Sequence, residues 1–381
     1  MQASCAAAVR TALTALLAIH GACASANDGG AAHAEPLPAP LRMRSEPVVA
    51  MLASDGIRIE HVERVNETVR RLALVLPDGR RLRAKWKPMG LRGSEVQEGY
   101  DGNNAPRCEV AAFRLDRLLF ARAERSLVPA TILRAFHRDV PCDGACARVP
   151  RIRARVAATF PELNDHLVLG TLTVWLERVE QVDRFHGGLW QPDRFRRDPS
   201  YARAFADLCV LLFVEAHGDA NYARNFLARV PALDRIWSID NGRAFDGVPY
   251  YTDEADPDWA PFAHLSARTL VAPAVARDTV ERLAALDSEV LSRALRMTGA
   301  VDMESGRAVT EPMIEPALAS YRRVSLAVSP GLERHGRGVF VARPRGGAWV
   351  LLAIGDRGID DTLGRARAVV GRVRSSELPQ L

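Results

Sequence analysis

The sequence predicts an α+β fold in which a strand-rich N-terminal half precedes a helix-rich C-terminal half. Residues 56–90 largely alternate apolar and polar side chains, and residues 201–216 repeat apolar side chains at helical spacing. A period of two indicates half-buried strands, whereas a period of 3.6 indicates a helix. Residues 215–245 contain two acid–amide clusters, at 218–221 (GDAN) and 240–242 (DNG), separated by a short strand pattern. The 381 residues are 48% hydrophobic and 25% charged, which is ordinary for a globular protein with a large core.

The first 26 residues are predicted to be a secretory signal peptide. Arg10 supplies a positive charge, residues 11–19 form a short apolar run, and residues 24–26 (ASA) fit a small-residue cleavage site. A lipoprotein leader is the alternative, but it needs an apolar residue three positions before Cys23, where a histidine stands. We therefore expect a secreted or periplasmic protein.

Three regions are expected after the signal. Residues 27–47 are rich in Ala, Pro and Gly without periodicity, which predicts a flexible linker. Residues 48–381 are predicted to form one domain, with an N-terminal lobe over about 48–170 and a C-terminal lobe over about 180–334. A hairpin and helix over 335–381 would extend it. No later segment reaches 18 uninterrupted apolar residues, so we expect no membrane-spanning helix in the mature chain.

Charge and cysteine content narrow the function classes. The formal net charge is only +5, and the arginines are spread along the chain rather than interleaved with aromatic residues, which argues against nucleic-acid binding. Beyond the signal the cysteines are Cys108, Cys142, Cys146 and Cys209, which allow three pairings. A Cys142–Cys146 loop with a Cys108–Cys209 bond is the expected set in an oxidising compartment. Free thiols are the alternative, and one CxxxC spacing is weak evidence for a metal.

The N-terminal half is predicted to begin with a strand, a turn and a second strand. Residues 69–76 are β-prone, and Pro77, Asp78 and Gly79 form a turn signal. Residues 80–87 alternate again, so their lysines at 85 and 87 share one face.

A glycine-rich loop and a helix follow. The loop covers residues 90–106, and the helix over 109–119 has Glu109 at its start. Residues 127–135 and 167–179 are then predicted to be extended. The order is therefore strand, lysine, loop, glutamate, helix and further strands.

The C-terminal half is predicted to be mainly helical. Beyond the helix at 201–216, the segments 264–299 and 311–332 have helical patterns. Residues 339–342 and 349–354 bracket a Pro-Arg-Gly-Gly turn and indicate a hairpin, and residues 360–373 add a last helix.

The two acid–amide clusters are the candidate catalytic region. Asp219 follows an apolar helix and a glycine, and Asp240 follows the strand pattern at 236–239. In a kinase active site one Asp orients the attacking hydroxyl and a second holds Mg²⁺ or Mn²⁺ on the nucleotide phosphates. Asn221 and Asn225 offer amide oxygens for a second metal or for bracing the loop. Either Asp alone is more simply explained as a helix or turn cap.

A lysine and a glutamate upstream complete the set. Lys87 on a strand would neutralise phosphate charge and needs a carboxylate to hold it, for which Glu109 is well placed. Lys85 shares the face of Lys87 and is a rival for the same role.

Residues 80–246 resemble the secreted atypical kinases of the Golgi casein kinase and four-jointed family. The shared pattern is a KPM-type lysine at Lys87, an E-x-A-A-F-x-L-D-R helix at 109–117, a catalytic-loop Asp, and a D-N-G-R-x-F sequence at 240–245. The resemblance implies a two-lobed protein-kinase-like fold and an enzyme that uses ATP with Mg²⁺ or Mn²⁺. It also implies that the γ-phosphoryl group goes to a hydroxyl of a protein or glycan.

The resemblance further implies roles for single residues. Lys87 binds phosphate, Glu109 pairs with it or assists the metal, Asp219 is the base, and Asp240 holds the metal. The sequence departs from the family five positions after Asp219, where Arg224 stands in place of a metal-binding or bracing residue. A pseudokinase that serves as a binding or activating partner is therefore an alternative, and AMP transfer on the same fold is another.

Overall fold

A five-stranded antiparallel sheet forms the N-terminal part of the protein in the computed structural model. Its strands are Arg58–Arg64 (β1), Arg70–Val75 (β2), Arg81–Pro88 (β3), Thr131–His137 (β4) and Leu167–Val174 (β5). They lie in the order β1-β2-β3-β5-β4. The residues that the structure describes are 47–54, 56–65, 69–88, 106–120, 126–137, 167–181, 189–218, 225–229, 232–245, 270, 272–296, 299–302, 337–342, 348–354 and 356–381.

The predicted turn joins β2 and β3. The N–H of Gly79 donates to the carbonyl of Leu76 at 2.9 Å, and the N–H of Leu76 donates to Arg80 at 2.8 Å. Gly79 has a φ of 83°, a conformation that glycine adopts without steric cost. The tight turn fixes the register of β3 against β2, and with it the face on which each lysine of β3 lies.

Two helices pack against this sheet. Helix α1 (Pro47–Ala53) contacts β4 and β5, and the buried guanidinium of Arg134 donates to the carbonyls of Leu52 and Ser54 at its C-terminal end. Helix α2 (Pro106–Phe120) also packs on β4 and β5 and is buried almost all round. A helix buried on all sides is held by its neighbours, so α2 is a fixed support for the side chains it carries.

Helices dominate the middle of the chain. They are α3 (Pro192–Arg197), α4 (Pro199–Val214), α5 (Arg277–Ala284) and α6 (Ser288–Leu291), followed by a π-helical turn, Ser292–Arg296. Asp198 caps α4 by accepting from the N–H groups of Ser200 and Tyr201 at 3.0 and 3.1 Å. Most side chains of helix α4 are buried and apolar. The helix ends at Val214, shortly before the first acid–amide cluster.

Two three-stranded antiparallel sheets complete the fold. One contains Glu180–Gln181 (β6), Phe226–Ala228 (β7) and Ile236–Ser238 (β8), and the other contains Gly299–Asp302 (β9), Arg337–Ala342 (β10) and Ala348–Ile354 (β11). The last helix, α7 (Asp356–Arg374), packs on α4 and α5. The predicted α+β class is confirmed, with strands in its N-terminal half and helices dominating its C-terminal half.

Several element boundaries differ from the sequence prediction. The helical prediction over 264–299 is wrong at residues 272–276, where Val275 instead pairs with Pro379 and Leu381 through backbone hydrogen bonds. It also misses β9, which pairs with β11. The extended prediction over 167–179 runs too far, because β5 stops at Val174. Non-local pairing overrides local pattern at the first two places.

The predicted Cys108–Cys209 disulfide is wrong, because Cys209 is a free cysteine. It lies inside α4 and is fully buried among apolar side chains, and burial raises the pKa of its thiol. Cys142, Cys146, the signal peptide and nearly all of the linker over 27–47 lie outside the described residues, as does the helix predicted at 311–332. Among the described helices, none is both long and apolar enough to cross a bilayer.

Gly170→Ala tests how tightly β3 and β5 approach each other. A Cβ at Gly170 would lie 2.5 Å from Trp86 Nε1 and 2.7 Å from the Lys87 carbonyl oxygen. Overpacking of this kind costs about 1–3 kcal/mol. We expect urea denaturation to show that loss of stability.

Gly364→Ala is the matched control. Gly364 lies in helix α7, and a Cβ there meets nothing within 4 Å. Alanine should therefore stabilise the protein by about 0.5–1 kcal/mol. Equal effects of the two substitutions would contradict the close approach of β3 and β5.

Candidate functional site

Two lysines of β3 bind the same carboxylate of α2. Lys87 Nζ lies 3.1 Å from Glu109 Oε1, and Lys85 Nζ lies 2.8 Å from Glu109 Oε2. Residues two apart on a strand point to the same face, which is why both lysines reach Glu109. The side chains of Lys87 and Glu109 are almost completely buried, and that of Lys85 is partly exposed. A carboxylate held by two ammonium groups has a fixed position.

Asp240, which is 153 positions further along the sequence, contacts the same ammonium group. Its Oδ1 lies 2.5 Å from Lys87 Nζ, and its side chain is 42% exposed whereas that of Lys87 is 4% exposed. Asp240 follows β8 and has a φ of 57°, which is uncommon for a non-glycine residue. Such a strained conformation persists only when the surrounding structure enforces it, and it often marks a functional site.

The charges of the site keep Lys87 protonated. Burial alone would lower the pKa of Lys87, but the carboxylates of Asp240 and Glu109 outweigh burial and raise it. Two ammonium groups and two carboxylates therefore meet here. Among the four side chains, that of Asp240 is the most exposed.

Asn241 fixes the turn that presents Asp240. Its Oδ1 accepts from Ser238 Oγ at 2.6 Å, and its Nδ2 donates to the Ser238 carbonyl at 3.2 Å. His217 Nε2 lies 3.1 Å from the same Oδ1. Because an amide oxygen only accepts hydrogen bonds, Nε2 carries the hydrogen. The turn Asn241–Arg243 is thereby tied to the residues that precede Asp219.

Backbone hydrogen bonds join the two acid–amide clusters. Gly218 donates to the Arg243 carbonyl at 3.0 Å, and Phe245 donates to the Glu215 carbonyl at 2.5 Å. Ile239 donates to the Asn225 carbonyl at 2.8 Å. The segment before Asp219 and the residue before Asp240 are thus held against the same group of strands and turns.

The structure brings four of the seven predicted site residues into direct contact. Lys85, Lys87, Glu109 and Asp240 form one continuous ion-pair cluster. Asn225 is buried, and its carbonyl anchors the residue before Asp240. Asp219 and Asn221, the other two, lie outside the described residues.

The sequence patterns gave no role to two buried carboxyl groups, those of Glu215 and Asp116. Glu215 is completely buried at the end of α4, and neither of its oxygens has a hydrogen-bond partner among the described residues. Burial and the nearby charge of Asp116 raise its pKa well above the ordinary value. Burial likewise raises the pKa of Asp116 to about 6. A glutamate directly after a long apolar helix was the available sequence signal for Glu215.

Comparison with known proteins yields structural similarity only. No family model matches the sequence, and no curated protein matches it significantly. Solved structures that are similar include a hydra Fam20 protein with sugar, at 14% identity and a TM-score of 0.36, covering 65% of this chain and 79% of that one. Another is the Golgi casein kinase, at 15% identity and a TM-score of 0.34, covering 65% and 68%. A third is the Golgi casein kinase with Mn/ADP bound, at 14% identity and a TM-score of 0.31, covering 62% of this chain and 65% of that one. These values do not assign the chain to a family.

Glu215→Gln should change how stability depends on pH. Because the folded-state pKa of Glu215 lies above the unfolded value near 4.5, its contribution is full below that value and is lost as pH rises through the folded pKa. Glutamine does not titrate, so the difference in Tm between variant and wild type should grow in favour of the variant between pH 5 and pH 8.

Thermal unfolding at several pH values measures this difference, with Glu281→Gln as the control because Glu281 is exposed on α5. The control should parallel the wild type at every pH. Parallel curves for Glu215→Gln as well would contradict a raised folded-state pKa for the buried Glu215 carboxyl group.

Proposed function

We propose that this protein is an atypical kinase that transfers the γ-phosphoryl group of ATP to a hydroxyl group. The observation that carries the proposal is the contact of Lys87 with both Glu109 and Asp240, at 3.1 and 2.5 Å. Protein kinases require a lysine on the third strand, paired with a glutamate of the following helix, together with a metal-binding Asp. Lys87 lies on β3, Glu109 on α2, and Asp240 after β8.

Lys87 would bind the phosphates of the nucleotide. Its ammonium is buried and fixed by Glu109, so it is oriented before the ligand arrives. A phosphate oxygen can take the place that the accessible Asp240 carboxylate occupies beside it. Preorganised charge of this kind is the largest single contribution to transition-state stabilisation in many enzymes. Lys85 reinforces the arrangement by holding the second oxygen of Glu109.

The residues around Asp240 suit a hard divalent cation. A half-exposed carboxylate on a constrained turn offers an oxygen ligand of the kind that Mg²⁺ and Mn²⁺ prefer. The carbonyl of Asn225 accepts from the N–H of Ile239, the residue before Asp240, which supports a place for Asn225 near the same cation. When bound, such an ion neutralises charge on the β- and γ-phosphates. Asp240 would hold the metal, with Asn225 and Asn221 as candidate further ligands.

Asp219 would orient the acceptor hydroxyl. The preceding residue, Gly218, is bonded to Arg243 of the turn that follows Asp240, which supports a position near the phosphates. The hydroxyl oxygen forms the new bond to the γ-phosphorus as the bond from phosphorus to the ADP oxygen breaks. Asp219 takes the hydroxyl proton late in the transfer.

The acceptor is proposed to be a hydroxyl of a protein or a glycan in a secreted or periplasmic setting. The motif resemblance supports both substrate classes, and the predicted signal peptide supports the compartment. Arg224, five positions after Asp219, supports a second candidate, which is a pseudokinase that binds nucleotide without transfer. The mass added to a modified target separates phosphate transfer from AMP transfer.

Lys87→Met and Asp240→Asn should each reduce phosphate transfer by about 100-fold or more, because each removes a group that stabilises the transferring phosphoryl. The assay is incorporation of labelled γ-phosphate from ATP with Mn²⁺ or Mg²⁺, into the protein itself and into a panel of proteins and glycans. Arg81→Met is the matched control, since Arg81 also lies on β3 but is exposed and paired with Glu60.

The control should retain wild-type transfer. Transfer that survives Asp240→Asn unchanged would contradict the proposed site. A silent wild type that still binds ATP would favour the pseudokinase.

A further inference from the structure

We propose that Asp116 is a positioning residue for Asp240 and acts through a buried hydrogen-bonded relay. The relay is the series Asp116, Leu127, Ser238 and Asn241, with Ser126 as a side contact. It connects helix α2 to the turn that presents Asp240. The inference rests on the proposed function, because it assigns how the metal-binding Asp is kept in register with the phosphate-binding lysine.

The relay begins at the carboxylate of Asp116. Its Oδ1 accepts from the backbone N–H of Leu127 at 2.9 Å, and its Oδ2 lies 2.8 Å from Ser126 Oγ. Asp116 has no exposed surface. A buried carboxylate is costly unless it is hydrogen-bonded, so the segment at residues 126 and 127 is held firmly by α2.

The relay continues through the backbone of one residue, Leu127, into β8. The carbonyl of Leu127 accepts from the N–H of Ser238 at 2.7 Å. Ser238 Oγ then donates to Asn241 Oδ1 at 2.6 Å, and Asn241 Nδ2 returns a hydrogen bond to the Ser238 carbonyl. Asp240 lies between these two buried residues. Every relay member is buried, whereas the Asp240 side chain is half exposed.

Helix α2 therefore contacts the site at two points. Glu109 and Asp116 are seven residues apart, which is two helical turns and places them on one face. Glu109 holds Lys87 directly, and Asp116 holds Asp240 through the relay. The phosphate-binding and metal-binding groups are thus both positioned by one rigid helix. Without the Asp116 carboxylate, both Asp240 and Lys87 are still present, but the position of Asp240 relative to Lys87 should be less well fixed.

Asp207 provides a matched control for burial. It lies on α4, is 2% exposed, and accepts hydrogen bonds from Thr279 Oγ1 at 2.9 Å and from Arg203 Nε at 2.5 Å. It is as buried and as well bonded as Asp116, but it belongs to the α4–α5 contact rather than to the relay. A purely structural role for Asp116 predicts that the two Asp→Asn variants behave alike.

The experiment measures ATP affinity of the full chain with EDTA and with Mn²⁺, for wild type, Asp116→Asn and Asp207→Asn. Substitution of a residue that supports a metal ligand typically costs about 10–100-fold in metal affinity. We expect Asp116→Asn to lose the Mn²⁺-dependent gain in ATP affinity by about 10-fold and to keep the affinity in EDTA. Asp207→Asn should keep both. Equal effects of the two variants, or no effect of Asp116→Asn, would overturn the proposal.

A stability measurement tests the relay without nucleotide. Asp116→Asn and Asn241→Ala are combined in a double-mutant cycle followed by urea denaturation, with Asp207→Asn and Asn241→Ala as the control cycle. Members of one hydrogen-bond network give non-additive effects, and distant sites add. We expect non-additivity only in the first cycle. Additive effects in the first cycle would overturn the relay, whether or not the protein binds ATP. If the first cycle is non-additive but the wild type does not bind ATP, the relay stands and the proposed function is refuted. If Asp116→Asn does not fold, Ser126→Ala replaces it in both measurements, because Ser126→Ala removes one of the hydrogen bonds to the Asp116 carboxylate.

Discussion

A buried ammonium group between two carboxylates organises the site. Lys87 comes from the sheet, Glu109 from the helix packed on it, and Asp240 from the turn after β8. Lys87 and Glu109 are almost completely buried, and removing one partner of a buried ion pair is strongly destabilising. The contact therefore fixes the relative position of three elements from distant parts of the sequence. It also leaves one half-exposed carboxylate, that of Asp240, which under the proposed function a phosphate group would displace.

The surrounding fold supplies the rigidity that this contact needs. The tight approach of Gly170 to Trp86 and to the Lys87 carbonyl fixes β3 beside β5. The hydrogen bonds of Asn241 and of the Glu215 carbonyl fix the turn after β8. Ala216, Asp240 and Phe245, which lie beside these hydrogen bonds, have positive φ. Such strain is tolerated because neighbouring hydrogen bonds overdetermine the backbone, and it keeps the site in one arrangement before a ligand binds.

The sequence predicted the parts of the site that depend on local pattern. Alternation on β3 indicated that Lys85 and Lys87 share a face, and helical spacing placed Glu109 at the start of α2. It left Lys85 and Lys87 as rivals, whereas both bind Glu109, because only the packing of α2 decides how far its carboxylate reaches. The relay from Asp116 passes through the backbone of Leu127, which leaves no trace in residue type. Strand β9 was missed because its pairing with β11 is non-local.

The most direct test is a crystal structure of the protein with a non-hydrolysable ATP analogue and Mn²⁺. We expect phosphate oxygens within hydrogen-bonding distance of Lys87 Nζ, the Glu109 contact retained, and the Asp240 carboxylate moved from Lys87 to the metal. An analogue bound elsewhere, with the Lys87–Asp240 contact intact and no metal at Asp240, would contradict it.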